Sequence, residues 1–343
     1  MLSPVESLPV ELFDIISDEF SIPDCQSLRL TSRQLHRLIH AKFVRLAFCE
    51  RRTTLSLSSL NRLINVSSHR DFRDAVKCLH IRLLNHHEYA NLNAISRAGR
   101  FPPPKRFPRV SGIKDRHISD EAATYAYVIQ NERPARLYTG LLKAMESLPQ
   151  LKIIRFSMKQ SASSISEHDE TLYDSFRNRC FEAVVFAMSH SKIKLEEFSM
   201  GRKKGRKIMY KQLDLSFLVF QLAPASLQAL QYCFSNLQSL TLSIMISYNI
   251  PHPNSWAKSI CDFINTAPRL TKLTLSLDRV ANNSLIAFYE YSCVMHRNVD
   301  VIVIVIVIRT TNRIAALSTI KLRSISSSQA SQYLDQVESS EDF

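Results

Sequence analysis

His36 and His40 stand four residues apart in a stretch with helical periodicity, a spacing that puts two imidazoles on one helix face and could begin a metal site. No acidic or thiol side chain stands near them at ligand spacing. They read as two polar residues on a solvated face. His86-His87 carries no motif. Gly201-Arg202-Lys203-Lys204-Gly205-Arg206-Lys207 is the densest cationic cluster, able to hold an acidic partner or nucleic acid or to act as a nuclear import signal. It directly follows a strand candidate, where a solvated loop is expected. No aromatic residue interleaves with its charges before Tyr210, so base stacking has no support. The chain has 5 glycines and contains no G-x-G-x-x-G, Walker loop or G-x-S-x-G elbow. No carboxylate pair has a spacing that argues for acid–base work. The expectation is a non-catalytic chain without metal or cofactor.

The 7 cysteines are scattered, with no zinc-type C-x-x-C spacing. That suits thiols used as small core residues in a reducing compartment. The 343 residues carry a formal net charge of +13 and ordinary apolar and charged fractions, as in a soluble globular protein. No secretory leader is evident, and the run from Val301 to Ile308 is too short to span a bilayer. A cytoplasmic or nuclear location, away from membranes, is expected. The charge is uneven. Residues 1–28 hold six acids and no Lys or Arg, whereas residues 29–52 hold seven basic residues and one acid. Residues 324–343 are Ser-rich and carry Asp335, Glu338, Glu341 and Asp342 with no basic residue, the composition of a disordered acidic tail.

The elements that would position any site begin at the N-terminus. Pro9 suits the first position of a helix, with Glu11 and Asp14 near its positive end and Leu12, Phe13, Ile16 and Phe20 at helical spacing. Ser21 to Asp24 has the form of a capping box with Pro23 in the first turn, and Thr31 to Gln34 has the form of a second. Leu35, Leu38, Ile39 and Leu46 make a stripe on a third helix running to about Phe48. Three helices in about 40 residues bury too little surface to close a core alone, so their surplus apolar surface calls for a partner or for the rest of the chain.

The run L-P-x-E-L-x-x-x-I from Leu8, followed by S-I-P-D-x-x-S-L-R-L-T-S-R-x-L-H-R-L from Ser21, resembles the F-box. Cys25 stands where that family usually carries an apolar residue. The resemblance covers residues 7–48. It implies docking onto the Skp adaptor of an SCF-type ubiquitin ligase and, through it, onto a cullin scaffold. Leu8, Pro9, Leu12, Phe13, Ile16, Leu28, Leu30, Leu35 and Leu38 are the candidate adaptor-binding residues. Which of these face the adaptor and which face inward is not legible at this level.

Five later segments share the pattern apolar–x–x–apolar–x–apolar: Val76/Leu79/Ile81, Leu151/Ile154/Phe156, Leu195/Phe198/Met200, Leu237/Leu240/Leu242 and Leu270/Leu273/Leu275. Alternation at the end of each predicts a short strand with one buried face. Helix candidates precede four of them, at 57–66, 135–147, 171–189 and 255–265. Helix and strand in alternation with a recurring signature resemble leucine-rich repeats, which often follow an F-box. The repeats are long, and Lys159, Lys203, Met245 and Asp278 stand where the usual Asn or Cys is expected, so the solenoid is degenerate. Val299 to Ile308, rich in β-branched residues, predicts a further buried parallel strand after a helix near 284–295. Residues 84–134, with Pro102-Pro103-Pro104, predict a long surface loop.

The fold expected is α/β: an F-box over residues 1–48, a degenerate leucine-rich-repeat-like solenoid with a parallel sheet over 49–323, and the tail at 324–343. The function expected is that of a substrate receptor, in which the N-terminal helices hold the adaptor and the body presents an unidentified protein substrate for ubiquitination. Arg202, Lys203, Lys204, Arg206 and Lys207 would form a site for an acidic partner. The alternative is a basic scaffold associated with nucleic acid or with other proteins and having no ligase role.

Overall fold

The computed structural model describes residues 5–55, 57–83, 135–158, 167–200, 202–204, 207–209, 215–245, 255–278, 302–310 and 313–322. The loop expected at 84–134, the helix expected near 284–295 and the tail at 324–343 lie outside the described residues.

Three helices open the chain: α1 (Val10–Ser17), α2 (Ile22–Thr31) and α3 (Arg33–Phe48). Pro9 is the N-cap of α1 and precedes its first turn by one residue, so the helix starts later than its sequence suggests. The capping box of α2 forms as expected, with the Ser21 hydroxyl accepting from the Asp24 amide and the Asp24 carboxylate accepting from the Ser21 amide. The second expected box does not form. Ser32 caps α3 by accepting from the Leu35 amide, while Thr31 ends α2 and donates its hydroxyl to the Leu28 carbonyl. An extended Ser32 is what separates the two helices. Phe13, Cys25, Leu35, Ile39, Phe43 and Val44 close a small core of their own, and Phe48 stacks on Phe72 to join it to the body.

The body is α/β. Its strands are β1 (Glu50–Thr54), β2 (Cys78–Leu83), β3 (Ile153–Met158), β4 (Glu197–Met200), β5 (Arg202–Lys204), β6 (Lys207–Met209), β7 (Leu215–Ser216), β8 (Ser239–Met245), β9 (Lys272–Asp278), β10 (Ile302–Thr310) and β11 (Arg313–Leu322). Among the described residues one sheet runs in the order β1-β2-β3-β4-β8-β9-β10-β11, with β7 also beside β8. Every pair from β1 to β10 in that order is parallel, and β11 turns back antiparallel on β10. The parallel strand expected at 299–308 forms beside β9, at 302–310. Each main strand lies beside its predecessor in the chain. The linking helices α4 (Leu57–Ser68), α6 (Ala135–Glu146), α7 (Glu167–His190), α8 (Pro224–Cys233) and α9 (Ser255–Asn265) likewise touch in chain order, while the short α5 (Arg70–Arg73) packs on α3 and α4.

The register explains the recurring signature. Leu79, Ile154, Phe198, Leu240 and Leu273 align across neighbouring strands, and Ile81, Phe156 and Met200 form the next row, with Leu242 opposite Leu275. All fifteen signature residues are buried in one core with the helices. At its centre Phe181 of α7 meets Phe156, Phe198, Phe220 and Phe263 at ring-centroid distances of 6.0, 6.2, 5.4 and 6.4 Å.

A hydrogen-bond pattern also repeats before β2, β3, β4, β8 and β9. One carbonyl accepts two successive amides of the next rung. Cys49 accepts from Lys77 and Cys78, Lys77 from Lys152 and Ile153, Lys152 from Glu196 and Glu197, Glu196 from Gln238 and Ser239, and Gln238 from Thr271 and Lys272, all at 2.7–3.2 Å. These bonds satisfy backbone groups that would otherwise be stranded where helix gives way to strand. They hold the rungs in register without an Asn or Cys ladder.

Candidate functional site

Two surfaces stand out. The first is on α1 and α2. Short helices supply an apolar stripe on one side, and here the stripe is wider than the core beneath it. Phe13 and Leu35 point inward and are buried, Leu8, Leu28 and Leu38 are half-buried, and Pro9, Leu12, Ile16 and Leu30 are exposed. The nine residues singled out in the sequence therefore divide between the unit's own packing and its surface. Val10, Ile15 and Ile22 join the exposed set and were missed, because a helical stripe read from sequence does not say how much of its width is covered. Leu30 is 88% exposed and Ile15 66%. Full burial of such a side chain is worth about 1.5–3 kcal/mol, so exposed apolar side chains in this number on α1 and α2 are suited to a partner. The backs of the helices are pinned. The Lys42 side chain, only 10% exposed, pairs with Asp18, and its hydrogen bond and charge hold the Asp18 carboxyl below the usual carboxylate range. Arg29 lays its guanidinium over the Phe43 ring, 4.0 Å from the centroid.

The second surface is the face of the sheet opposite the helices. Parallel sheets are ordinarily covered on both faces. Among the described residues this one carries helices on one face only. The other face bears Glu50 and Arg52 on β1, Cys78 and His80 on β2, Ile153 and Arg155 on β3, Glu197 and Ser199 on β4, then Ser239, Thr241, Lys272 and Thr274, of which Cys78 and Thr274 are buried. Arg155 and Glu197, opposed on adjacent strands two residues out of step, form a two-pronged pair, Nε to Oε1 at 2.8 Å and Nη2 to Oε2 at 3.0 Å. That hydrogen bonding raises the Arg155 guanidinium's affinity for its proton. Ser199 donates to Glu197 at 3.3 Å. His80 Nδ1 lies 3.1 Å from Glu50 Oε1. Burial lowers the His80 pKa, and the Arg155 and Arg52 charges add to this against the opposing pull of Glu50. Alternation had shown that this face is polar. It could not show that the charges meet across strands, because register is a tertiary fact.

The histidine pair lies on α3, with the His36 and His40 rings stacked at 5.4 Å and His40 Nε2 3.6 Å from Asp71. Among the described residues no group of three or more His, Cys, Asp or Glu side chains is placed to hold a metal ion. The basic cluster is not a plain loop. Arg202, Lys203 and Lys204 of β5 pair antiparallel with Met209, Ile208 and Lys207 of β6, a two-stranded ribbon that leaves the strand ends after β4. Gly201, Gly205 and Arg206 lie outside the described residues. Among the described residues no helix is long and apolar enough to cross a membrane.

No family model matches the chain, and no curated protein matches it either. The two surfaces therefore stand on their own chemistry.

Proposed function

We propose that this chain is the substrate-recognition subunit of an SCF-type ubiquitin ligase. In this reading α1–α3 act as an F-box and dock on the Skp adaptor, which links them to a cullin scaffold. The chain contributes no catalysis itself and raises the effective concentration of a bound protein near the ubiquitin-conjugating enzyme. The observation that carries the reading is the division within the N-terminal helices. They complete a core around Phe13, Cys25 and Ile39, yet leave Val10, Leu12, Ile15, Ile16, Ile22 and Leu30 exposed on α1 and α2.

The body is read as a degenerate leucine-rich-repeat-like solenoid. Strands added in chain order, helices touching in the same order and the two-amide acceptor repeated before five of the strands support it. The β1–β4 end of the polar sheet face, where Glu50, Arg52, Arg155 and Glu197 are accessible, is then the surface offered to the substrate. Loops at the strand ends, including the β5–β6 ribbon, flank it.

The test is direct binding of the purified full chain to purified Skp adaptor at low micromolar concentration. A stoichiometric complex that survives gel filtration is the expected result. No complex, with the chain folded by circular dichroism, refutes the proposal.

A further inference from the structure

The sheet edge from which its parallel strands start is a cationic rim. It is built from the segments that lead into the strands, 74–77, 147–152, 191–196, 234–238 and 266–272. Together they carry Lys77, Lys152, Lys192, Lys194, Arg269 and Lys272 against Asp74 and Glu196. Lys152 reaches Glu196 at 2.7 Å, Lys194 lies over the Tyr232 ring and Arg269 donates to Asn236. Lys77, Lys192 and Lys272 are exposed and, among the described residues, have no acidic partner. The helices α6 to α9 end at this edge, each bringing roughly half a negative charge that fades within its last turn. Four such ends amount to about two negative charges, which leaves the rim cationic.

The antiparallel turn of β11 brings the chain back to this same edge. Lys321 lies opposite Val303, and Val303 opposite Lys272, so Leu322 ends two strands from Lys272. Past Arg323 the chain continues into a Ser-rich stretch, 324–343, whose only charged side chains are Asp335, Glu338, Glu341 and Asp342. A Ser-rich linker of 13 to 20 residues has a root-mean-square reach of about 18–27 Å. At about 4.8 Å per strand, Lys192 and Lys194 stand ~19 Å from the tail's root, Lys152 ~24 Å and Lys77 ~29 Å. The acids fall at the distance of the lysines.

We infer that the acidic segment 335–342 folds back onto the lysine rim and occupies it, so that an acidic partner must displace the chain's own tail. The inference is independent of the adaptor. Charge, reach and topology each support it, since a parallel final strand would have delivered the tail to the opposite edge.

Zero-length carbodiimide coupling of the full chain, mapped by peptide mass, tests it. Expected are links from the four acids to Lys152, Lys192 or Lys194, with yields independent of protein concentration. They should fade in about 0.5 M salt, where the screening length is only a few ångströms. They should also be lost in the Lys192→Glu/Lys194→Glu chain. Links to Lys203, Lys204 or Lys207 in their place, links only between molecules, or no links overturn it. As a second readout, the full chain with Asp335→Asn, Glu338→Gln, Glu341→Gln and Asp342→Asn should bind a fluorescein-labelled hexaglutamate about tenfold more tightly than the unaltered chain, as removal of a tethered competitor requires. Equal binding overturns it.

Discussion

Replacing Leu12 and Ile16 together by Asp separates a docking surface from a structural one. Both side chains project from α1 with about half their surface open, 49% and 47%. Burying the open half of each on a partner is worth about 0.75–1.5 kcal/mol, from about 1.5–3 for full burial. The pair therefore contributes about 1.5–3 kcal/mol, roughly a 10- to 150-fold loss of affinity at 1.4 kcal/mol per decade. Two carboxylates forced against an apolar partner raise the loss further. The folded chain keeps Phe13, Ile39 and Cys25 in place, so its melting temperature should move little. Phe13→Ala is the counterpart. It empties the centre of the same small unit, and its cost of about 3–5 kcal/mol should melt α1–α3 and remove binding with it. Titration of each purified chain against immobilised Skp adaptor gives the affinities, and thermal melts followed by circular dichroism give the folds. Unchanged affinity in the Leu12→Asp/Ile16→Asp chain refutes the docking assignment. A collapse in its melting temperature equal to that of Phe13→Ala refutes the assignment of those side chains to the surface.

Phe181→Ala removes the ring shared by four other buried phenylalanines and should lower unfolding free energy by about 3–5 kcal/mol, read from urea denaturation; a loss below about 1 kcal/mol contradicts the packing. His80 has a folded-state pKa below its ordinary value, so the unfolded chain takes up its proton first and stability falls as pH drops below about 6.5. His80→Gln should flatten that part of the stability profile, and an equally steep profile in the variant removes His80 as its source. Burial pushes the thiol of Cys78 up to about 11 and those of Cys233 and Cys261 up to about 12, so these sites should resist alkylation at pH 8 until the chain is unfolded, as measured per site by peptide mass; among the described cysteines, half-buried Cys49 should react first.

The legibility of this chain follows the range of the interactions. Capping at Ser21, the helix at 255–265 and the five strand signatures depend on neighbours a few residues away, and the sequence displays them. The stripe of α3 was half right: Leu35 and Ile39 are buried, but Phe43 and Val44 go in where Leu46 was expected. Thr31 was misread as a cap because two overlapping Ser and Thr candidates compete, and only the backbone at Ser32 decides between them. The helix at 224–233 was missed because its apolar residues have a weak stripe, and its burial comes from α7 and α9 rather than from its own pattern. The basic ribbon was read as a loop because short paired strands rich in charge have no apolar alternation to betray them.

Among the sites, the exposed apolar residues of α1 and α2 were half visible. Hydrophobic spacing identifies a stripe, and the depth of the neighbouring helices decides which members remain outside. The Arg155–Glu197 and His80–Glu50 pairs were invisible, since partners 42 and 30 residues apart meet only once register is set.

The sequence by itself determined the alternation of helix and strand, the strand residues that enter the core and the absence of recognisable catalytic motifs, because each is written in local periodicity and residue type. The tertiary structure alone decided that the strands stack in chain order, that one sheet face stays polar and paired, that Leu12 and Ile16 remain outside while Phe13 goes in, and that the final antiparallel strand returns the chain to its lysine-rich edge. Those outcomes depend on which distant segments pack together, a choice made by the summed burial of the whole core and carried by no single stretch of the chain.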